Sequence, residues 1–242
     1  MEPAYSVHLP GLEADGPNFG HGRSPLSLID GLTNDSAHMT GAVADALAEV
    51  GAPKGAEVFM TGFSLGGLHA TNMAKSRDFQ QEYNLRAVTT VGSPTRSGPT
   101  RPGVKVTHLE DARDPVPHLT GDRHELSAER MVIEYNHQNP DSAVESIAGS
   151  AHTWEHNLDG ITLMEDNEAD WLDLGERNHL DEFRAQLRFD AEVETYVFES
   201  HWQPMDTPEH IMPWQAGGVS DLDYLGDALQ DGARELRRLP PE

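Results

Sequence analysis

Residues 62–66 read GFSLG, a Gly-x-Ser-x-Gly motif that could supply a nucleophilic serine, Ser64. The apolar run at residues 56–61 predicts a buried strand before it, and residues 65–75 predict a helix after it. Ser64 would then lie in a sharp strand-to-helix turn. The backbone doubles back tightly in such a turn, so the neighbouring residues must be small. Glycines at positions 62, 66 and 67 meet this requirement, which favours a nucleophile over an ordinary glycine-rich connection.

A serine hydroxyl is a weak nucleophile and needs a base to take its proton and a third group to orient that base. In an α/β fold these two groups are expected after Ser64, at the carboxyl ends of later strands, with the acid before the histidine. Backbone amides must also stabilise the oxyanion that forms when the serine attacks. We expect these amides to come from Leu65 in the turn and from Leu12 after the first strand.

The candidate acid lies in residues 109–117, LEDARDPVP, which follow a predicted strand and contain three carboxylates. Asp114 is the predicted acid because the rigid Asp-Pro-Val-Pro loop would fix its side chain. Glu110 and Asp111 abut the strand, and we expect them to be solvated or to cap the neighbouring arginine.

The candidate base lies in residues 152–156, HTWEH. His156 is the predicted base because a loop is expected to pass into a helix at this residue, the usual setting for a base that reaches the serine. His152 is the second choice. His118, His124 and His201 are the remaining candidates for the base.

The same five residues fit a different chemistry. His152-x-x-Glu155-His156 matches the inverted zinc-protease pattern, in which two histidines one helical turn apart bind zinc and the glutamate acts as base. The pattern needs a helix and a third ligand, and glycines at positions 149 and 160 leave room for only a short helix. A zinc protease is therefore the alternative enzyme, and the preferred hypothesis involves no metal and no cofactor.

The elements that would position these groups alternate between strand and helix, which predicts an α/β fold with a mainly parallel sheet flanked by helices. Residues 12–31 are rich in glycine and proline and predict a long loop that contacts substrate. The predicted strands are residues 5–9, 56–61, 85–91, 104–109 and 130–135, and the predicted helices are residues 34–50 and 65–75.

The character of the chain changes after residue 164, where an acidic stretch begins. We predict a catalytic domain at residues 1–164 and a C-terminal extension at residues 165–242 that packs on the core. Leucines at positions 222, 225, 229 and 236 recur at helical spacing within that extension.

The amino-acid composition argues against several classes of binding partner. The 242 residues carry a formal net charge of -24, with 17 basic and 41 acidic side chains. This charge argues against binding to nucleic acids or anionic bilayers, and it suggests the hypothesis of a salt-rich habitat. The absence of cysteine excludes disulfides, thiolate metal sites and a cysteine nucleophile. No stretch approaches the ~18 apolar residues of a membrane span, and the start lacks a signal sequence. We therefore expect a cytoplasmic protein, or a secreted one if a signal lies on an upstream segment.

Three segments together resemble the alpha/beta-hydrolase superfamily, especially class 3 lipase-like members: residues 62–67, 91–94 and 114–117, followed by a distal histidine. The resemblance covers about residues 5–164 and implies an acyl-ester hydrolase with Ser64 as nucleophile, Asp114 as acid and His156 as base. Its substrate would be a small-molecule ester of a lipid or another acyl group. The chain departs from the family in having Phe63 where histidine is common, Ile161 where an aromatic residue is common, and no early strands. These departures leave a non-catalytic binding module as a further alternative.

Overall fold

A computed structural model of the chain describes residues 3–12, 23–95, 98–121, 127–136, 151–166 and 193–200. These residues form one sheet of five parallel strands in which each strand pairs with the next along the chain. The predicted α/β fold with a parallel sheet is confirmed. The strands are β1 (Ala4–Leu9), β2 (Glu57–Phe63), β3 (Asn84–Val91), β4 (Lys105–Asp111) and β5 (Arg130–Tyr135).

Five helices accompany the sheet in the described residues. The helix after the motif serine has the predicted bounds, and the predicted helix at residues 34–50 is observed three residues shorter at its start and one shorter at its end. The helices are α1 (Pro25–Thr33), α2 (Ala37–Glu49), α3 (Leu65–Lys75), α4 (Arg77–Glu82) and α5 (Trp154–Asp166). A short 3-10 helix, Val116–His118, follows β4.

The main core lies between the sheet and helices α2 and α3. Alternate residues of β2 and β3 point to one face, since side chains alternate along a strand, and there they meet the buried stripe of α2. This cluster includes Met39, Val43, Leu47, Val58, Met60, Met73, Leu85 and Val88. A second cluster, on the opposite face of the sheet, joins Phe63 and Val91 to Leu109, Met131, Ile133 and Tyr135. Packing on both faces holds the carboxyl ends of β2 to β5 rigidly beside one another.

The prediction that residues 12–31 lack regular structure is wrong, because α1 begins at Pro25. Proline favours the first turn of a helix, where its missing N–H needs no partner. The backbone carbonyl of Ser24 accepts hydrogen bonds from the amides of Ser27 and Leu28, which closes this first turn. The Ser-Pro pair was therefore the signal for a helix start.

The connection from β3 to β4, residues 92–104, contains no helix in its described part, yet the two strands pair in parallel. The chain divides into two units, Met1–Ser200 and His201–Glu242. The predicted boundary after residue 164 stays a prediction. Most of the proposed extension, including its four leucines, lies outside the described residues. Across the described ranges, no helix combines the length and apolarity needed to cross a bilayer.

Candidate active site

Ser64 occupies the turn between β2 and α3. Its backbone has φ 52° and ψ -122°, a conformation that residues with a side chain rarely adopt. The Ser64 amide donates to the carbonyl of Val91 at 2.9 Å, which ties the strained turn to the end of β3. Such strain persists only where the surroundings over-determine it, and it is typical of functional positions.

The glycines around the serine are required by close backbone contacts. A Cβ on Gly62 would lie 2.4 Å from the Gly66 carbonyl carbon, and one on Gly66 would lie 2.0 Å from the carbonyl oxygen of Leu9. A Cβ on Gly67 would lie 1.9 Å from the Ser93 hydroxyl oxygen. Any larger residue at these positions would force β1, β2 and α3 apart.

His152 bridges the serine and the acid. Its Nε2 lies 2.8 Å from Ser64 Oγ, and its Nδ1 lies 2.7 Å from Asp114 Oδ2. A carboxylate can only accept, so the neutral ring carries its proton on Nδ1 and donates it to Asp114. Nε2 then presents a lone pair to the Ser64 hydroxyl, which is the tautomer that a general base needs.

Asp114 is held from both sides. Its Oδ1 accepts from the Val116 amide at 2.9 Å, an Asx turn that fixes the side chain. A Cβ on Gly92, which has φ +53°, would lie 2.8 Å from Asp114 Oδ2. The absence of a side chain at Gly92 therefore leaves space for the carboxylate beside His152. The Asp114 side chain is fully buried, so water does not compete for its oxygens.

The choice of His156 as the histidine beside the serine is corrected by this geometry. His156 Nε2 lies 2.8 Å from Asp111 Oδ2, and its ring is almost fully buried. Asp111 and Glu110, expected to be solvated, are buried as well. The expected link of Asp111 to the neighbouring arginine is present, since Asp111 Oδ1 accepts from the amide of Arg113 at 2.8 Å.

The physical reason for the correction is the position at which α5 begins. A base was expected where a loop enters a helix, and that junction lies at His152 because α5 starts at Trp154. Thr153 Oγ1 accepts from the His156 amide at 3.2 Å and caps the helix. His156 therefore belongs to the first helical turn. The threonine was the available signal in the sequence.

The first turn of α5 is also bonded to β5. Tyr135 donates its hydroxyl hydrogen to Asn157 Oδ1, and the Asn157 amide donates to the carbonyls of Ala151 at 3.1 Å and Thr153 at 2.8 Å. Burial, reinforced by nearby carboxylates with Asp111 foremost, raises the pKa of Tyr135 and keeps the hydroxyl protonated. The residues on either side of His152 are thus fixed by one asparagine.

Aromatic rings line the other side of the histidine. The Phe63 ring stacks on the His152 imidazole with centroids 5.2 Å apart and an interplanar angle of 20°. Trp154 meets Phe63 edge to face at 5.7 Å and is 43% exposed. Phe63, one of the noted departures from the resembled family, therefore contacts the histidine directly.

The two predicted oxyanion donors are the backbone amides of Leu65 and Leu12. Leu65 is the first residue of α3, where a helix leaves its amides without an intrahelical partner. Leu12 follows Gly11, whose Cβ, if present, would lie 3.2 Å from Ser64 Cβ. The backbone at Gly11 therefore lies close to Ser64. The roles of both amides stay predictions.

The two histidines of the predicted alternative zinc site bond different groups. The Nε2 atoms of His152 and His156 face different partners, Ser64 and Asp111. Over the residues that the structure describes, no group of three or more histidine and carboxylate side chains is placed to hold a metal ion. Of the other candidate bases, His118 lies exposed in the 3-10 helix, and His124 and His201 lie outside the described residues.

No protein-family model matches this chain, and no curated protein is significantly similar to it in sequence.

Proposed function

We propose that this protein is a serine hydrolase that cleaves carboxylic esters through a covalent acyl-enzyme. The observation that carries the proposal is the continuous hydrogen-bonded chain from Ser64 Oγ to His152 Nε2 at 2.8 Å and from His152 Nδ1 to Asp114 Oδ2 at 2.7 Å. The chain begins at a strained strand-to-helix turn. A nucleophile, a base and an orienting carboxylate in this order are what acyl transfer requires.

The first step is acylation. His152 Nε2 takes the hydroxyl proton as Ser64 Oγ attacks the ester carbonyl, and the imidazolium is stabilised by the buried Asp114 carboxylate. When the tetrahedral intermediate collapses, the bond to the alcohol oxygen breaks and His152 returns its proton to that oxygen. The products of this step are a free alcohol and an ester of Ser64.

The second step is hydrolysis of the acyl-enzyme. His152 takes a proton from water, whose oxygen attacks the acyl carbon, and then returns the proton to Ser64 Oγ as the carboxylic acid leaves. In both steps negative charge develops on the carbonyl oxygen. The amides of Leu65 and Leu12 are the proposed donors to that oxygen.

The surroundings of the serine favour an apolar acyl group. Phe63 stacks on His152 and meets the ring of Trp154, which is 43% exposed. These two rings offer apolar surface beside the histidine that contacts Ser64, which suits a hydrocarbon chain better than a charged substrate. The resemblance to class 3 lipase-like enzymes points in the same direction. Acyl or lipid esters are therefore the proposed substrates.

The test is labelling by a fluorophosphonate, which phosphonylates an activated serine. We expect stoichiometric labelling of the wild type, none of Ser64→Ala, and a loss of at least ~10³-fold in labelling rate for His152→Gln. Ser93→Ala is the matched control, because it removes a neighbouring serine hydroxyl that bonds only backbone carbonyls in the described structure.

Chelator treatment and the labelling experiment separate this proposal from the two alternatives. A zinc protease would lose its activity in a chelator, whereas the proposed hydrolase keeps its activity. A folded wild type that the probe does not label would instead indicate a binding module. Initial rates on p-nitrophenyl esters of increasing acyl length would then rank the substrates.

A further inference from the structure

The described residues contain a second histidine–carboxylate pair beside the first. His156 lies four residues after His152, and Asp111 lies three residues before Asp114. The two segments therefore meet twice, through His152 with Asp114 at 2.7 Å and through His156 with Asp111 at 2.8 Å. Only the first pair reaches Ser64.

The two aspartates are anchored in the same manner. Each uses Oδ1 to accept from the backbone amide two residues later, Arg113 for Asp111 at 2.8 Å and Val116 for Asp114 at 2.9 Å. Each then offers Oδ2 to a histidine. Because both carboxylates are fixed by their own turns, they define two points to which the α5 segment is bonded, Asp111 at the end of β4 and Asp114 on the loop after it.

The proton on His156 follows from its contacts. Nε2 lies 2.8 Å from the Asp111 carboxylate and 3.4 Å from Arg113 Nη2. Arg113 has only donors, so it can bond Nε2 only when that nitrogen carries no hydrogen, whereas the carboxylate requires one. The shorter contact assigns the hydrogen to Nε2. The His156 ring therefore donates its Nε2 hydrogen to Asp111 rather than to Ser64, and it is buried.

We propose that the Asp111–His156 pair is a positioning device that, with Asn157, holds His152 in line between Ser64 and Asp114. The inference rests on the proposed hydrolase function. His156 fixes the first turn of α5 to the end of β4, and Asn157 fixes the residues on both sides of His152. Without these anchors the His152 ring is free to leave the line between hydroxyl and carboxylate.

The test compares His156→Leu, which removes the donor to Asp111, with His156→Gln, whose amide can still donate. For His156→Leu we expect kcat on an ester substrate, and the rate of fluorophosphonate labelling, to fall about 10- to 100-fold at unchanged KM. His156→Gln should recover most of that loss. Val58→Ala is the control for stability, since Val58 is fully buried in the main core and lies at the start of β2, away from Ser64.

A spectroscopic readout reports the position of His152 directly. The proton NMR signal of His152 Nδ1–H, assigned by its absence from His152→Gln, should be present in the wild type and Val58→Ala and lost or broadened in His156→Leu. If His156→Leu does not fold, Asn157→Leu and the shorter His156→Asn should show the same loss relative to His156→Gln.

The outcomes separate the two proposals. A folded His156→Leu protein with wild-type kcat and an unchanged Nδ1–H signal would overturn the positioning role while leaving the hydrolase intact. A wild type that the probe does not label would overturn the hydrolase, and the NMR comparison alone would then decide whether His156 positions His152. Equal losses of kcat in Val58→Ala and His156→Leu would also overturn the positioning role, because lower stability alone would explain both.

Discussion

His69, on the inner side of α3, makes the stability of this protein depend on pH. Its side chain is 1% exposed, its Nδ1 lies 2.7 Å from Ser36 Oγ, and its Nε2 lies 2.9 Å from Ser27 Oγ. The ring thereby joins α3 to α1 and to the start of α2. Burial lowers the pKa of His69 from 6.5 to about 4, and the nearby Asp30 carboxylate opposes this only in part.

The sign of the effect follows from proton linkage. The native state holds His69 neutral down to about pH 4, whereas in the unfolded chain it takes up a proton below its ordinary pKa of 6.5. As pH falls through this window the unfolded state binds the additional proton, so the free energy of unfolding decreases. At about 1.36 kcal/mol per pKa unit, the full loss is about 3 kcal/mol, and about 2 kcal/mol of it is reached at pH 5.

The perturbation is His69→Gln, which removes the titrating ring but keeps a polar side chain. At pH 8 we expect the variant to be less stable by about 1 to 3 kcal/mol, because its amide cannot match both serine contacts. At pH 5 the difference should shrink by about 2 kcal/mol, since only the wild type loses stability through this histidine. Urea unfolding of both proteins at pH 8 and pH 5 measures the change.

Tyr83→Phe is the control, because it removes the hydrogen bond from a buried hydroxyl to the Ala44 carbonyl. A tyrosine does not titrate between pH 5 and pH 8, so the difference between this variant and the wild type should be the same at both pH values. If the His69→Gln difference were also unchanged from pH 8 to pH 5, His69 would not be held neutral in the native state and the reasoning would be refuted.

Three further predictions concern packing, the histidine ring and surface charge. Gly41→Ala should raise the free energy of unfolding by about 0.5 to 1 kcal/mol, because Gly41 lies in α2 with nothing within 4 Å of the added Cβ. Gly67→Ala should lower the free energy of unfolding by about 1 to 3 kcal/mol, because the added Cβ would collide with Ser93. Thermal denaturation of both variants in parallel measures the two effects. Phe63→Leu removes the ring stacked on His152 and should lower the fluorophosphonate labelling rate about 2- to 12-fold, the equivalent of about 0.5 to 1.5 kcal/mol. Labelling of this variant at the wild-type rate would contradict the prediction. Because the protein carries a net charge of -24, added NaCl should screen its self-repulsion and raise the melting temperature at neutral pH. A lower melting temperature in NaCl would contradict both this prediction and the hypothesis of a salt-rich habitat.

Local patterns were sufficient for most elements near the site. The apolar run before Ser64 and the helix-forming run after it predicted β2 and α3, because a buried strand and a helix each leave a periodic signature in the chain. The strand at residues 130–135 was also predicted with its observed bounds. The ends of the elements were harder to predict than the elements themselves, because an end depends on a single capping residue such as Thr153. The predicted start of α5 at His156 was two residues later than its observed start at Trp154.

By itself the sequence determined the strand-to-helix turn at Ser64, because a serine between glycines there is a local steric requirement, and it narrowed the candidate acid and the candidate base to two short segments. Only the tertiary structure decided that His152 meets Ser64 while His156 bonds Asp111. Both histidines have the same intrinsic chemistry. Which of them reaches the serine depends on how α5 packs against the ends of β4 and β5, and those contacts join residues more than 20 positions apart, beyond any local pattern.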